Sequence, residues 1–189
     1  DDKEFIEFQN VGAATLDLTG VRLTDGVEFV FPAVTLAPGE YIVVARELAE
    51  FEDFYGAGIN AIGDYVGSLS NAGEDILLQM PGMPEAAILR FDYNDAWYPA
   101  TDGEGASLVI VNPLGRRGDW DPAAGWLPSG TAGGSPGTGD VTSDITLGSV
   151  VVNEVMAHTD GGVEDWIELH NTTEGDIDIS GWFLSDDPS

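Results

Sequence analysis

Apolar residues along this chain recur mostly at every second position, the spacing that turns one face of a β-strand into a core. FIEFQN (5–10) alternates strictly, with Phe5 and Glu7 on one face and Ile6 and Phe8 on the other. TLDLTGVRLTD (15–25) supplies Leu16 and Leu18 and, after a break at Gly20, Val21 and Leu23. VEFVFP (27–32), EYIVVAR (40–46), DILLQM (75–80), AILRFDY (87–93) and SLVIVN (107–112) are short runs rich in β-branched or aromatic residues. Each is bounded by Gly, Pro, Asn or Asp, which end strands in turns. The pattern predicts an all-β fold, a sandwich rather than an alternating α/β chain. One stretch departs from it. ELAEFEDFYG (47–56) spaces Leu48, Phe51 and Tyr55 at helical intervals and ends on Gly56, which predicts a short helix.

After residue 113 the apolar period is lost in Gly, Pro, Ser and Thr, the chemistry of loops and linkers. Trp120 and Trp126 are too apolar for a linker, and at least one is expected to pack back onto the sandwich. That moves the flexible part to about 129–146. GSVVVNEVMAH (148–158) then resumes as a strand.

The two ends of the chain repeat one another. A shift of 161 residues superimposes 4–25 on 165–186 without a gap. Ile6, Glu7, Asn10, Asp17, Gly20, Leu23 and Asp25 meet identical residues, namely Ile167, Glu168, Asn171, Asp178, Gly181, Leu184 and Asp186. Phe5 meets Trp166, Phe8 meets Leu169, Leu16 meets Ile177 and Leu18 meets Ile179, so apolar character persists where identity does not. The chain reads as a piece of a tandem array: one nearly full sandwich, then the start of another. SVVVNEVMA (149–157), which precedes the second copy, has no counterpart before Asp1.

VVVNEVMAHTDGGVEDWIELHNTTEGDIDISGWFLSD (150–186) resembles the opening of the lamin-tail domain as found in bacterial secreted proteins. The first copy continues the resemblance in LAPGEYIVVAR (36–46), GSLSNAGEDILLQ (67–79), FDYNDAWYPATDGEGASLVIVNP (91–113) and WLPSGTAGGSPG (126–137). Motifs in this order cover roughly 4–137 and 148–186. The resemblance implies an immunoglobulin-like β-sandwich and a non-catalytic module, of a kind that accompanies exported or cell-surface multidomain proteins. The expected organisation is a sandwich over 1–137 lacking its usual first strand, a linker over 138–147, and the first strands of a second repeat over 148–189. A sandwich without that strand exposes a sheet edge, and edges recruit strands. Strand 149–157 fits the slot, by folding back or by a strand swap between copies.

Charge narrows the partners. Thirty-four Asp and Glu face six Lys and Arg, a formal −28. Such a surface repels phosphate backbones and anionic membranes, which argues against nucleic acid and membrane insertion. It suits high solubility, a saline medium, divalent cations or a basic partner. The expected partner is a protein or a cell-surface polysaccharide. No apolar run reaches membrane-spanning length, and DDKEF at the start lacks a leader's pattern, so an export signal is expected to have been removed. The expected location is extracellular or at the cell surface.

Candidate chemistry is sparse. His158 and His170 are the neutral-pH bases, and the first-copy residue matching His170 is Gln9, so loop or strand roles fit them better than catalysis. Cysteine is absent, and no phosphate loop or His-Glu-x-x-His motif occurs. The chain reads as no enzyme; an accessory role beside a hydrolase site ranks below the others. Calcium is the cofactor the loops would take, with Asp92, Asp95, Asp102, Glu104, Asp119 and Asp121 as oxygen ligands and Asp186–Asp187 as a further pair. The plain alternative is that these residues start turns and face water. Trp97, Trp120 and Trp126 pose the same choice between a sugar-stacking face and the capped end of a core. Asn171-Thr172-Thr173 is formally a glycosylation sequon, although its twin Asn10-Val11-Gly12 points to a turn role.

Overall fold

The computed structural model describes residues 2–82, 86–116, 118–139, 149–157, 165–173, 175–177 and 179. The chain divides into two compact units, 1–140 and 141–189. In chain order the first carries β1 (Phe5–Gln9), β2 (Leu16–Asp17), β3 (Arg22–Asp25), β4 (Val27–Val30), β5 (Thr35–Leu36), β6 (Tyr41–Ala45), α1 (Leu48–Tyr55), β7 (Ala61–Ile62), β8 (Val66–Gly67), β9 (Glu74–Gln79), β10 (Ala87–Tyr93), β11 (Leu108–Ile110) and β12 (Trp126–Pro128). The second carries β13 (Val150–Met156) and β14 (Trp166–Asn171).

Two sheets make the sandwich of the first unit. One has the order β1-β6-β7 and the other β10-β9-β3-β4-β8. Ile6, Phe8, Ile42 and Val44 from the first meet Leu23, Val27, Ile76, Leu78 and Phe91 from the second in one core. Burying each such side chain contributes about 1.5–3 kcal/mol, which is why the two-residue alternation of these strands decides the fold. The short pairs β2–β5 and β11–β12 add Leu36, Leu108, Ile110 and Trp126 to the same core.

β6 is buried on both faces. Ile42 and Val44 face the main core, while Val43 and Ala45 meet Phe51 of α1, with Phe5, Tyr55 and Ile59 around them. A strand covered on both sides needs the continuous apolar run YIVVA rather than an alternating one. Helix α1 starts with no cap from Glu47; Asp64 accepts the Leu48 N–H at 2.7 Å instead. The helix ends with the Gly56 N–H on Glu52 O at 2.9 Å.

Residues 129–139, which composition assigns to the linker, pack on the first unit. Tyr55 Oη donates to Gly133 O at 2.5 Å, and Ser129 N donates to Ser107 O at 2.8 Å. Gly134 and Pro136 are buried. Composition misreads this stretch because its contacts come from backbone and small residues, which leave no apolar period.

In the second unit β13 and β14 form an antiparallel hairpin, with a bulge at Asn153 between the Val152↔Leu169 and Glu154↔Glu168 pairs. Val152, Val155, Ile167 and Leu169 share one face and are 43–56% exposed. Their counterparts Ile6 and Phe8 in β1 lie against the main core. His158, Asp178 and Asp186–Asp187 lie outside the described residues.

Candidate functional sites

The acidic candidates do not converge as a group. Asp92, on β10, stands across from Asp75 on β9. Arg90 binds Asp75 and lies 3.8 Å from Asp25. The Arg90 guanidinium holds the Asp75 carboxyl below the usual range, and a hydrogen bond with Asp75 lifts the neighbouring Asp92 above it. The charge of Asp121 pushes Asp92 the same way. Asp95 opens a 3-10 turn at Asp95–Trp97, and its Oδ1 is buried without a partner among the described residues. Asp102 and Glu104 are exposed in the following turn. Asp119 accepts the Arg116 N–H at 2.6 Å, so it closes a turn. Among the described residues no three His, Asp or Glu side chains gather as a metal site.

The tryptophans belong to the core and its rim. Trp126 is 6% exposed, with its ring 5.5 Å from Phe91 and 6.4 Å from Trp97. Trp97 and Trp120 pack partly buried against the same cluster. Trp126 Nε1 donates to Trp120 O at 2.6 Å, and Trp120 Nε1 to Asn112 O at 3.1 Å, so both indoles satisfy their one donor on backbone.

Two features lay beyond reach of the sequence reading. The first is an open groove of about 1040 Å³ lined by Thr15, Thr35, Glu40, Tyr41, Asn60 and Gly137 among others. None of the three tryptophans lines it; Tyr41 is its aromatic residue. The groove joins turns far apart in sequence, so no local motif announces it. The second is Glu7, whose carboxylate accepts the Gly137 N–H at 2.5 Å. Burial pushes this carboxyl up to about 7, against the opposing pull of that hydrogen bond. Strand alternation did place Glu7 on the face of Phe5; what covers it came from the unpatterned segment.

Glu4 holds the other end of β1. Its Oε2 accepts from Tyr65 Oη and from Leu69 N, both at 3.1 Å, and its Oε1 lies 3.4 Å from Arg46. These groups tie the start of β1 to the segments on either side of β8 and to the end of β6.

The asparagines at the end of each copy make the same turn. Asn10 Oδ1 accepts from Gly12 N at 2.9 Å and its Nδ2 donates to Ala14 O at 2.9 Å. Asn171 Oδ1 accepts from Thr173 N at 2.9 Å and its Nδ2 donates to Gly175 O at 2.7 Å. Asn10 is 1% exposed and reaches Leu36 O as well, at 2.9 Å.

No curated protein and no solved structure matches the chain significantly. The Lamin Tail Domain family model matches residues 1–93, which run from β1 through the end of β10. The sandwich just described has the immunoglobulin-like architecture of that family, and the match over residues 1–93 is consistent with a lamin tail domain.

Proposed function

We propose that this protein is a non-catalytic structural and interaction module from an exported or cell-surface multidomain protein, deployed as a repeat. The observation that carries the reading is the twinned turn: Asn10 and Asn171 make equivalent hydrogen bonds, 161 positions apart, at the ends of matching strands. Such agreement supports the second unit as the opening of another lamin-tail-like repeat, and serial sandwiches set distance and present surface rather than turn over substrate. The acidic surface favours a basic or neutral partner over nucleic acid. The orientation of the indoles, spent on core contacts and backbone acceptors, argues for a structural use of the aromatic residues.

The test is a thermal melt in millimolar calcium against chelator at matched ionic strength, with a polysaccharide titration followed by Trp fluorescence. Neither should respond. Calcium at a hundredfold excess over its Kd would add about 2.7 kcal/mol. For a domain near this size that raises the midpoint by roughly 5–10 °C. A rise of that order would replace the reading with a calcium-stabilised adhesion module, and quenching by polysaccharide with a carbohydrate-binding one.

A further inference from the structure

Residues 133–139 lie across the β1–β6 pair as a strap that carries no ionisable side chain. Gly133 O accepts from Tyr55 Oη at 2.5 Å, and Gly133 N donates to Gly105 O at 2.6 Å. Further along, Gly137 N donates to Glu7 Oε2 at 2.5 Å. Side chains would not fit beneath. A Cβ on Gly134 would lie 2.8 Å from Ser107 Oγ and 3.4 Å from Phe5 Cζ, and one on Gly137 would lie 3.0 Å from Ile59 Cγ2. Glycine lets the strap approach β1 and the loop after α1 this closely.

The carboxyl beneath the strap has poor means of holding a charge. Glu7 shares its face of β1 with Phe5, whose ring meets Phe51 and Tyr55 of α1. From β6 comes Tyr41, whose hydroxyl feels the Glu7 charge; from α1 comes Tyr55, tied to Gly133 O. Glu40, beside Tyr41, accepts from Ala37 N. Nearby cations are engaged elsewhere, Lys3 over the Phe54 ring and Arg46 with Glu4. Burial is what lifts the Glu7 carboxyl, with no push from another acid. Water would stabilise its charge, and the strap excludes water.

We propose that residues 133–139 form a pH-released strap, docked on β1 while Glu7 is protonated and lifting off as Glu7 ionises. The Gly137 hydrogen bond favours the carboxylate, but burial opposes it more strongly, so the docked state loses its proton at about pH 7. With the strap lifted and Glu7 in water, the ordinary value of 4.5 applies. Docking is therefore fully supported below about pH 4.5 and weakens as pH rises through about 7. Between pH 5 and pH 8 the ratio of lifted to docked strap rises on the order of fiftyfold. Lifting removes Pro136, Gly137 and Thr138 from the wall of the open groove. It also adds seven residues to the free chain ahead of β13, about 23 Å when extended. That adjustable reach rests on the repeat reading above; the strap itself does not, and it can fail while that reading stands.

Amide hydrogen exchange of the full chain, read by NMR from pH 5 to pH 8 and corrected for intrinsic rates, tests the strap. The Gly133 and Gly137 amides should be less protected at every pH than that of Val43, which donates to Asn60 O within the sandwich. Their protection should fall on the order of fiftyfold across the range. Glu7→Gln keeps an acceptor for Gly137 N and should remove the fall. Tyr55→Phe cuts the other tie without touching the carboxyl, so it should lower strap protection by one factor at all pH values. Strap amides as protected as Val43 throughout would overturn the proposal, because the strap would then leave only when the sandwich unfolds. A fall that survives Glu7→Gln, or a slope altered by Tyr55→Phe, would overturn it as well.

Discussion

Asn10 is the residue whose replacement tests the frame of the first unit most sharply. Its side chain is 1% exposed and makes three hydrogen bonds: to Leu36 O in the interior, to Ala14 O, and from Gly12 N. Asn10→Ala strands the buried Leu36 carbonyl, a loss of about 1–3 kcal/mol, and removes two partly exposed bonds of about 0.5–1.5 kcal/mol each. The total should be about 3–4 kcal/mol, lowering the midpoint by about 10–15 °C for a unit of this size. Asn10→Asp separates the turn from the buried donor. Asp keeps the acceptor for Gly12 N and favours such turns, but it aims a carboxylate oxygen at two carbonyls. It should therefore be at least as damaging as Ala. The internal control is Asn171→Ala, an exposed twin with local bonds alone, expected within about 0.5 kcal/mol. The assay is urea unfolding followed by tryptophan fluorescence and far-UV circular dichroism. An Asn10→Asp variant as stable as the parent, or equal small losses at Asn10 and Asn171, would refute the buried-donor argument.

Other positions have defined outcomes. Glu7 holds its proton more tightly in the folded chain than the usual carboxyl does, so stability should fall as pH rises from about 4.5 through about 7. Glu7→Gln should flatten that slope in parallel melts, and an unchanged slope would assign the dependence elsewhere. Trp126→Ala removes a ring packed on Phe91 and Trp97 and should cost about 3–5 kcal/mol in urea unfolding; a loss under about 1 kcal/mol would mean the rim is not part of the core. Gly26 sits at φ 76°, and an added Cβ would lie 2.6 Å from Ile76 Cδ1, so Gly26→Ala should lose overpacking of about 1–3 kcal/mol beyond its backbone strain. Gly39→Ala, at φ 79° with nothing within 4 Å, should lose the strain alone, about 1–2 kcal/mol. Equal midpoints for the two glycine variants would contradict the packing at the β3–β4 turn.

Much of the sandwich was legible because its strands obey a period of two. FIEFQN, DILLQM and AILRFDY each mark a strand whose apolar face enters the core, and the spacing of Leu48, Phe51 and Tyr55 marks α1. β5, β7, β8 and β12 were not legible, since two or three residues are too few to establish a period. Their pairing is set by neighbours, as when β7 joins β6 in parallel through Val43↔Ala61. The site chemistry was less legible still. Asp119 and Asp92 look alike as acidic residues in sequence, yet one closes a turn and the other faces Asp75 across two strands. The groove and the cover over Glu7 depend on residues 133–139, where Gly and Pro pack by backbone and carry no pattern.

The pairing of β1 with β6 joins the segment that repeats to the strand buried on both faces, and the architecture turns on it. Amide hydrogen exchange of residues 5–10, read by NMR, tests it most directly. Ile6, Phe8 and Asn10, whose backbones turn toward β6, should be strongly protected. Exchange of these three as fast as in exposed turns would contradict the sandwich.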